Sequence, residues 1–73
     1  MRYAVLRRLR FIDFLLATYG YIRRSMLMDY YGISMPQASR DIKEYKGLAP
    51  NNIEYSKTDK VYRKTKAFKR LFG

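Results

Sequence analysis

Gln37, Ser39, Arg40 and Lys43 lie within one short stretch of this 73-residue chain, and their side chains suit one kind of chemistry, hydrogen bonding to base edges and phosphates. The Arg40 guanidinium can donate to guanine O6 and N7 together, a contact worth about 1–3 kcal/mol of discrimination, and the Gln37 amide can serve adenine in the same bidentate way. Ser39 can act on a base or on a phosphate. Gln37, Ser39 and Arg40 are therefore the base-reading candidates, with Ser34 and Lys43 as phosphate contacts that fix register without reading sequence.

These residues share one outward face if the stretch is helical, with Ala38, Ile42 and Tyr45 on the inward face. The segment before them is built to start such a helix. Gly32 can take the positive φ of a sharp helix exit, Ile33 can plug the angle between two helices, and Ser34 can cap the next one. Gln37 completes a capping box with Ser34, and Pro36 sits in the first turn, where a missing N–H costs nothing. From Tyr31 to Ile42 the chain thus reads as the turn and second helix of a helix-turn-helix. Plainer readings exist for the same residues: Ser34 and Gln37 as a cap alone, and Arg40 paired with Glu44 at i, i+4, worth about 0.2–0.5 kcal/mol.

Composition narrows the chemistry further. Sixteen basic against six acidic side chains give a formal net charge of +10, the signature of a polyanion binder. There is no cysteine and no histidine, so disulfides, thiol catalysis and imidazole acid–base chemistry are excluded and a zinc site has lost its usual ligands. No enzyme, cofactor or small-molecule ligand is expected. The amino terminus imitates a signal peptide, with Arg2, Arg7, Arg8 and Arg10 ahead of an apolar run, but Asp13 interrupts a run already too short to span a bilayer. A cytoplasmic, nucleoid-associated protein without a membrane partner is expected. A single domain of this size buries only about 60% of its unfolded surface, which favours a partner, double-stranded DNA first and a second copy next.

Val5, Leu9, Ile12, Leu16 and Tyr19 recur at helical spacing and predict a first helix over about Tyr3 to Tyr19, stopped by Gly20. Phe11 and Phe14 lie off that stripe and imply a second apolar contact. Tyr21-Ile22 can form a short strand, and Ser25 can cap a second helix to about Tyr31, turning Leu27, Met28 and Tyr31 inward. The third helix ends near Lys46-Gly47. Ile53–Tyr55 and Val61–Arg63 read as a hairpin across Ser56–Lys60 with two registers open: pairing Tyr55 with Tyr62, the one favoured, puts Ile53 and Val61 on opposite faces, and a slip by one puts them together. Phe68, Leu71 and Phe72 share one face of a short closing helix. Phe11, Phe14, Phe68, Leu71 and Phe72 are the candidate surface for tail packing or dimerisation.

Three helices followed by a two-stranded hairpin predict a mainly α domain over residues 1–73, a winged helix-turn-helix with a short C-terminal helix. The wing is Lys57 to Lys60. In that geometry the third helix enters the major groove and the hairpin tip follows an adjacent backbone, so Lys57, Thr58, Lys60, Arg63 and Lys64 extend the phosphate footprint. Arg23 and Arg24 face the opposite phosphate strand. A protein-interaction module using the apolar Phe14–Phe72 surface is the alternative, and a non-specific RNA or single-strand binder the third reading.

From Arg8 through Phe72 the chain resembles the N-terminal winged helix-turn-helix module of the WYL-domain transcriptional regulators, especially the autorepressors beside bacterial anti-phage defence operons. The residues that carry this are Arg8–Leu16, Tyr19–Ile22, Gly32-Ile33-Ser34 with Gln37-Ala38-Ser39, Leu48-Ala49-Pro50-Asn51, Lys60-Val61-Tyr62 and Phe68-Lys69. The resemblance implies a homodimer on an inverted repeat, blocking transcription, with Ser34, Gln37, Ser39 and Arg40 in the major groove. It does not carry ligand sensing, because the WYL domain has no counterpart in these 73 residues.

Overall fold

Gly20 and Gly32 punctuate the helical half of the chain. Both take left-handed backbone, φ 83° and 65°, and their N–H groups donate back to the carbonyls of Leu16 and Met28. An L side chain is strained there, so glycine closes each helix at little conformational cost. In the computed structural model, which describes residues 2–72, the helices are α1 (Tyr3–Tyr19), α2 (Arg24–Tyr31) and α3 (Met35–Leu48). The strands are β1 (Tyr21–Ile22), β2 (Ile53–Ser56) and β3 (Val61–Lys64), forming one antiparallel sheet in the order β1-β3-β2.

The short strand after Gly20 changes how α2 begins. Pairing of Tyr21 with Arg63 and Ile22 with Tyr62 holds the chain extended through Arg23, so α2 starts at Arg24 and Ser25 lies inside its first turn instead of capping it. Sheet pairing has overridden a local capping preference. Arg23 is the N-cap residue, and its N–H donates to Met26 Sδ at 3.3 Å.

α1 packs on α3, β1 and β3 and therefore buries a broader face than one stripe. Leu9, Ile12 and Leu16 are buried as their spacing requires, and Leu15 joins them. Val5 is only half-buried, and Tyr19, on the last turn, is exposed rather than inward. Ile22, Leu27, Ala38, Ile42, Tyr45 and Ile53 complete the core.

Tyr55 pairs with Tyr62 across the hairpin, their ring centroids 4.9 Å apart. Ile53 and Val61 accordingly face opposite sides, yet both are buried, Ile53 in the core cluster and Val61 outside it. The sheet is thus covered by the core at Ile22 and Ile53 on one face and buried at Val61 on the other.

The closing segment is not the helix that Phe68, Leu71 and Phe72 predict. After a turn at Lys66-Ala67 it runs irregularly, because side chains from elsewhere take the backbone bonds a helix would make. Asn52 Oδ1 accepts from Lys69 N at 3.0 Å, and its Nδ2 donates to Lys69 O at 2.7 Å. The Asp13 carboxylate accepts from Leu71 N at 2.9 Å, Phe72 N at 3.1 Å and Arg70 Nε at 2.7 Å. Tyr45 Oη donates to the same carboxylate at 2.5 Å and accepts from Asn52 Nδ2 at 3.1 Å. With its polar groups satisfied this way, the segment lays Phe68, Leu71 and Phe72 half-buried against the core.

Burial pushes the Asp13 carboxyl up, but the bonds from Tyr45, Leu71 N, Arg70 and Phe72 N outweigh it and hold the group below its ordinary 3.8. Tyr45 moves the other way: burial and donation to that carboxylate raise its hydroxyl.

Candidate nucleic-acid interface

Ser34 caps α3, its Oγ accepting from Gln37 N at 3.3 Å, with Pro36 in the first turn. Its inward face is Ala38, Ile42 and Tyr45, as expected, together with Asp41. Arg40 and Lys43 are exposed, while Gln37 and Ser39 are half-buried beside them.

The capping box is not reciprocal. Gln37 Nε2 turns inward to Asp41 Oδ1 at 2.9 Å, and its Oε1 accepts from Arg40 Nη2 at 3.1 Å. Arg40 therefore bonds Gln37 rather than Glu44. Asp41, 2% exposed, is held from α1 by Arg8, with Nε to Oδ2 at 2.6 Å and Nη2 to Oδ1 at 3.3 Å. A basic residue of the Arg7-Arg8-Arg10 cluster thus works inside the protein.

The basic residues outside α3 do not all lie together. Arg24 Nη1 donates to Ser39 Oγ at 3.3 Å, joining the start of α2 to the exposed face of α3. Arg23 lies over the Tyr21 ring and, with Tyr21, Asp59, Val61 and Arg63, lines a shallow groove between the end of β1 and the wing. Arg24 thus borders the exposed face of α3, and Arg23 shares its groove with Arg63, which bonds Asp59. Lys57, Thr58 and Lys60 are exposed at the wing tip, where Lys60 N–H closes the turn onto Ser56 O at 2.7 Å. Lys64 stands apart, its ammonium 5.9 Å from the Phe68 ring, because neighbouring strand residues point to opposite faces.

Three of the six carboxylates, Asp13, Asp41 and Asp59, are paired with arginines, and the first two are buried. The acid on the Ser34–Lys43 half of α3 is therefore turned inward. What that half presents is positive.

The candidate aromatic surface divides. Phe68, Leu71 and Phe72 pack on their own core, with Arg10 over the Phe72 ring at 5.9 Å. Phe11 stacks on Tyr30 at 4.5 Å and meets Tyr31 edge-on at 5.5 Å, the second contact its position demanded. Phe14, 46% exposed, and Tyr30, 67% exposed, stay at the surface. Among the described residues no helix is long and apolar enough to cross a membrane.

A family model described as the BrxR transcriptional regulator winged helix-turn-helix domain matches residues 4–73. The chain belongs to this family. It is also 53% identical over 66 residues to the DNA-binding transcriptional repressor CapW of Escherichia coli, covering 90% of this chain and 22% of the relative. The repressor of the same name from Pseudomonas aeruginosa is 54% identical over 66 residues, again 90% and 22%, and that from Stenotrophomonas maltophilia 44% over 69 residues, 94% and 23%. The chain spans less than a quarter of the length of these curated relatives. Within the BrxR-type domain, α2 and α3 form the helix-turn-helix and the β2–β3 hairpin is the wing, with β1 as a third strand.

Sequence reasoning left out Asp13, Asp41, Asn52 and the inward role of Arg8. The signals were present: an aspartate inside the apolar run of α1, and another four residues after Gln37, between Arg40 and Ile42 on the helix that buries it.

Proposed function

We propose that the chain is the double-stranded-DNA-reading module of a transcriptional repressor, placing the N-terminal half of α3 in the major groove and the wing on the adjacent backbone. The observation that carries this is the exposed Arg40–Lys43 face of α3, from which Asp41 is turned inward, leaving Glu44 as the acid beside the two cations. Relatives named as DNA-binding transcriptional repressors support it. Arg40 reads a base. Ser39, Ser34, Lys43, Arg23, Arg24, Lys57, Thr58, Lys60 and Arg63 supply base-edge or phosphate contacts around it. Gln37 supports Arg40, and Lys64 contributes charge from the far side of the wing.

The operator is an inverted repeat bound by two copies, whose half-sites lie about 34–36 Å apart or a multiple of that. With the tail residues packed on their own core, Phe14 is the member of the candidate aromatic surface that stays exposed for contact between copies, with Tyr30 exposed on the neighbouring helix.

Titrating the nitrogen-labelled chain with duplex DNA and following amide shifts by NMR tests the placement. The residues expected to move are Arg24, Ser39, Arg40, Lys43 and the wing tip Lys57–Lys60. Shifts confined to the Phe14–Tyr30 face would instead make the chain a protein-docking module.

A further inference from the structure

We propose that Arg8, Asp41 and Gln37 are positioning residues that aim Arg40 at a guanine, so that an arginine on α1, away from the reading face, sets part of the sequence preference of α3. The premise is that α3 contacts base edges, as proposed above.

The chemistry of the four side chains makes the chain of bonds directional. A carboxylate only accepts and a guanidinium only donates, so the Gln37 amide can sit between Asp41 and Arg40 in one orientation. Its NH₂ faces Asp41 and its carbonyl faces Arg40. Arg8 holds both Asp41 oxygens from α1, 33 residues away in sequence, with side-chain exposures of 12% for Arg8 and 2% for Asp41.

Two consequences follow for recognition. A bidentate contact to adenine needs an amide N–H and the amide oxygen presented together at the base edge; Gln37 keeps one hydrogen and one lone pair, but its NH₂ is drawn inward to Asp41 and its carbonyl to Arg40, so the protein sets where the amide points. Gln37 is therefore a strut rather than a reader. Arg40 gives one Nη2 hydrogen to Gln37, which leaves one of its two parallel donor pairs, Nη2 with Nη1 or Nη2 with Nε, for guanine O6 and N7. A long arginine side chain held at one end loses less freedom on binding, and the guanidinium plane is set before DNA arrives.

The alternative is that the Arg8–Asp41 pair only joins α1 to α3. Replacing both members by apolar residues, Arg8→Met with Asp41→Leu, separates the two ideas. A buried ion pair exchanged for hydrophobic residues of similar volume is often neutral or stabilising, and the exchange removes one charge of each sign, leaving the net charge at +10. Fold and charge-driven DNA affinity are thereby kept. Gln37→Met breaks the same chain of bonds one step later with the ion pair intact, and serves if the double variant fails to fold.

The experiment selects bound sequences from a pool of randomised duplexes with the 73-residue chain, both variants and Arg40→Ala. The original chain is expected to enrich a motif containing a guanine that Arg40→Ala no longer selects. The double variant and Gln37→Met, with unchanged salt-dependent binding to the unselected pool, should prefer that guanine about tenfold less. A folded variant that enriches the original motif with the guanine preference intact overturns the positioning role while leaving base reading by α3 in place. If Arg40→Ala keeps every guanine preference, Arg40 is not the reader and the inference falls. If the original chain enriches no sequence at all, the reading of α3 falls with it.

Discussion

Asp13→Ala is expected to lower the stability of the folded chain by about 3–5 kcal/mol, a large share of what a domain of this size has. The native carboxylate, wholly buried, accepts from the Tyr45 hydroxyl, the Arg70 guanidinium and the backbone N–H groups of Leu71 and Phe72. Alanine orphans a buried hydroxyl, withdraws acceptors from two tail amides and opens a gap between α1 and α3. Removing one partner from a buried charged network costs about 3–5 kcal/mol, and at 0.05–0.15 kcal/mol per residue a domain of this length has only roughly 4–11 kcal/mol in all. Arg70→Ala should cost far less, because that side chain is 42% exposed and solvent already screens it. Urea unfolding followed by far-UV circular dichroism gives the comparison. An unchanged midpoint for Asp13→Ala would mean that Asp13 does not hold the closing segment.

The same carboxylate gives the domain an acid limit. Its pKa is lowered in the folded chain, so the stability it contributes is fully present above the ordinary value of 3.8 and is lost as pH falls through the lower folded value. Asp13→Asn, in which no charge can form, should flatten that acid limb from a lower starting stability. If both chains lose stability over the same acid range and to the same extent, the limb belongs to other carboxylates.

The second large effect separates reading from holding. Arg40→Ala should cost about 1–3 kcal/mol on the preferred duplex and much less on a shuffled one, since a bidentate base contact exists only where the guanine is. Lys57→Ala, at the exposed wing tip, should weaken both duplexes alike and lower the slope of log affinity against log salt by about one. Anisotropy titrations of the two variants on the two duplexes supply all four numbers. Equal losses on both duplexes for both variants would remove the distinction between base and phosphate contacts drawn here.

The parts of the fold that depend on neighbours in sequence were legible. The 3-4 spacing of Leu9, Ile12 and Leu16 and the stop at Gly20 predict α1 with its observed ends, and Ser34 and Pro36 predict the start of α3. The hairpin register was open between two pairings in the sequence, and the favoured Tyr55–Tyr62 pairing is the one observed. What was not legible depends on groups far apart. The tail looks helical from Phe68, Leu71 and Phe72, but its backbone bonds go to Asp13, 58 residues from Leu71, and to Asn52. Ser25 looks like a cap until β1 pairs with β3 and fixes Arg23 as extended.

At the site, Arg40 and Lys43 were legible because an amphipathic helix shows its outward face in its own spacing. The fate of the Gln37 amide was not, because it is decided by an arginine from α1. Local pattern names the side chains that meet solvent; only packing tells which of them are already engaged.

The central claim is that α3 reads double-stranded DNA, and the most direct measurement is affinity for the duplex upstream of the protein's own gene against a shuffled duplex, at about 50 mM and 200 mM salt, a range over which several phosphate contacts lose orders of magnitude in affinity. A preference for the upstream duplex that persists at the higher salt is the expected result. Equal affinities that collapse together with salt would contradict it, leaving a basic domain that binds any polyanion.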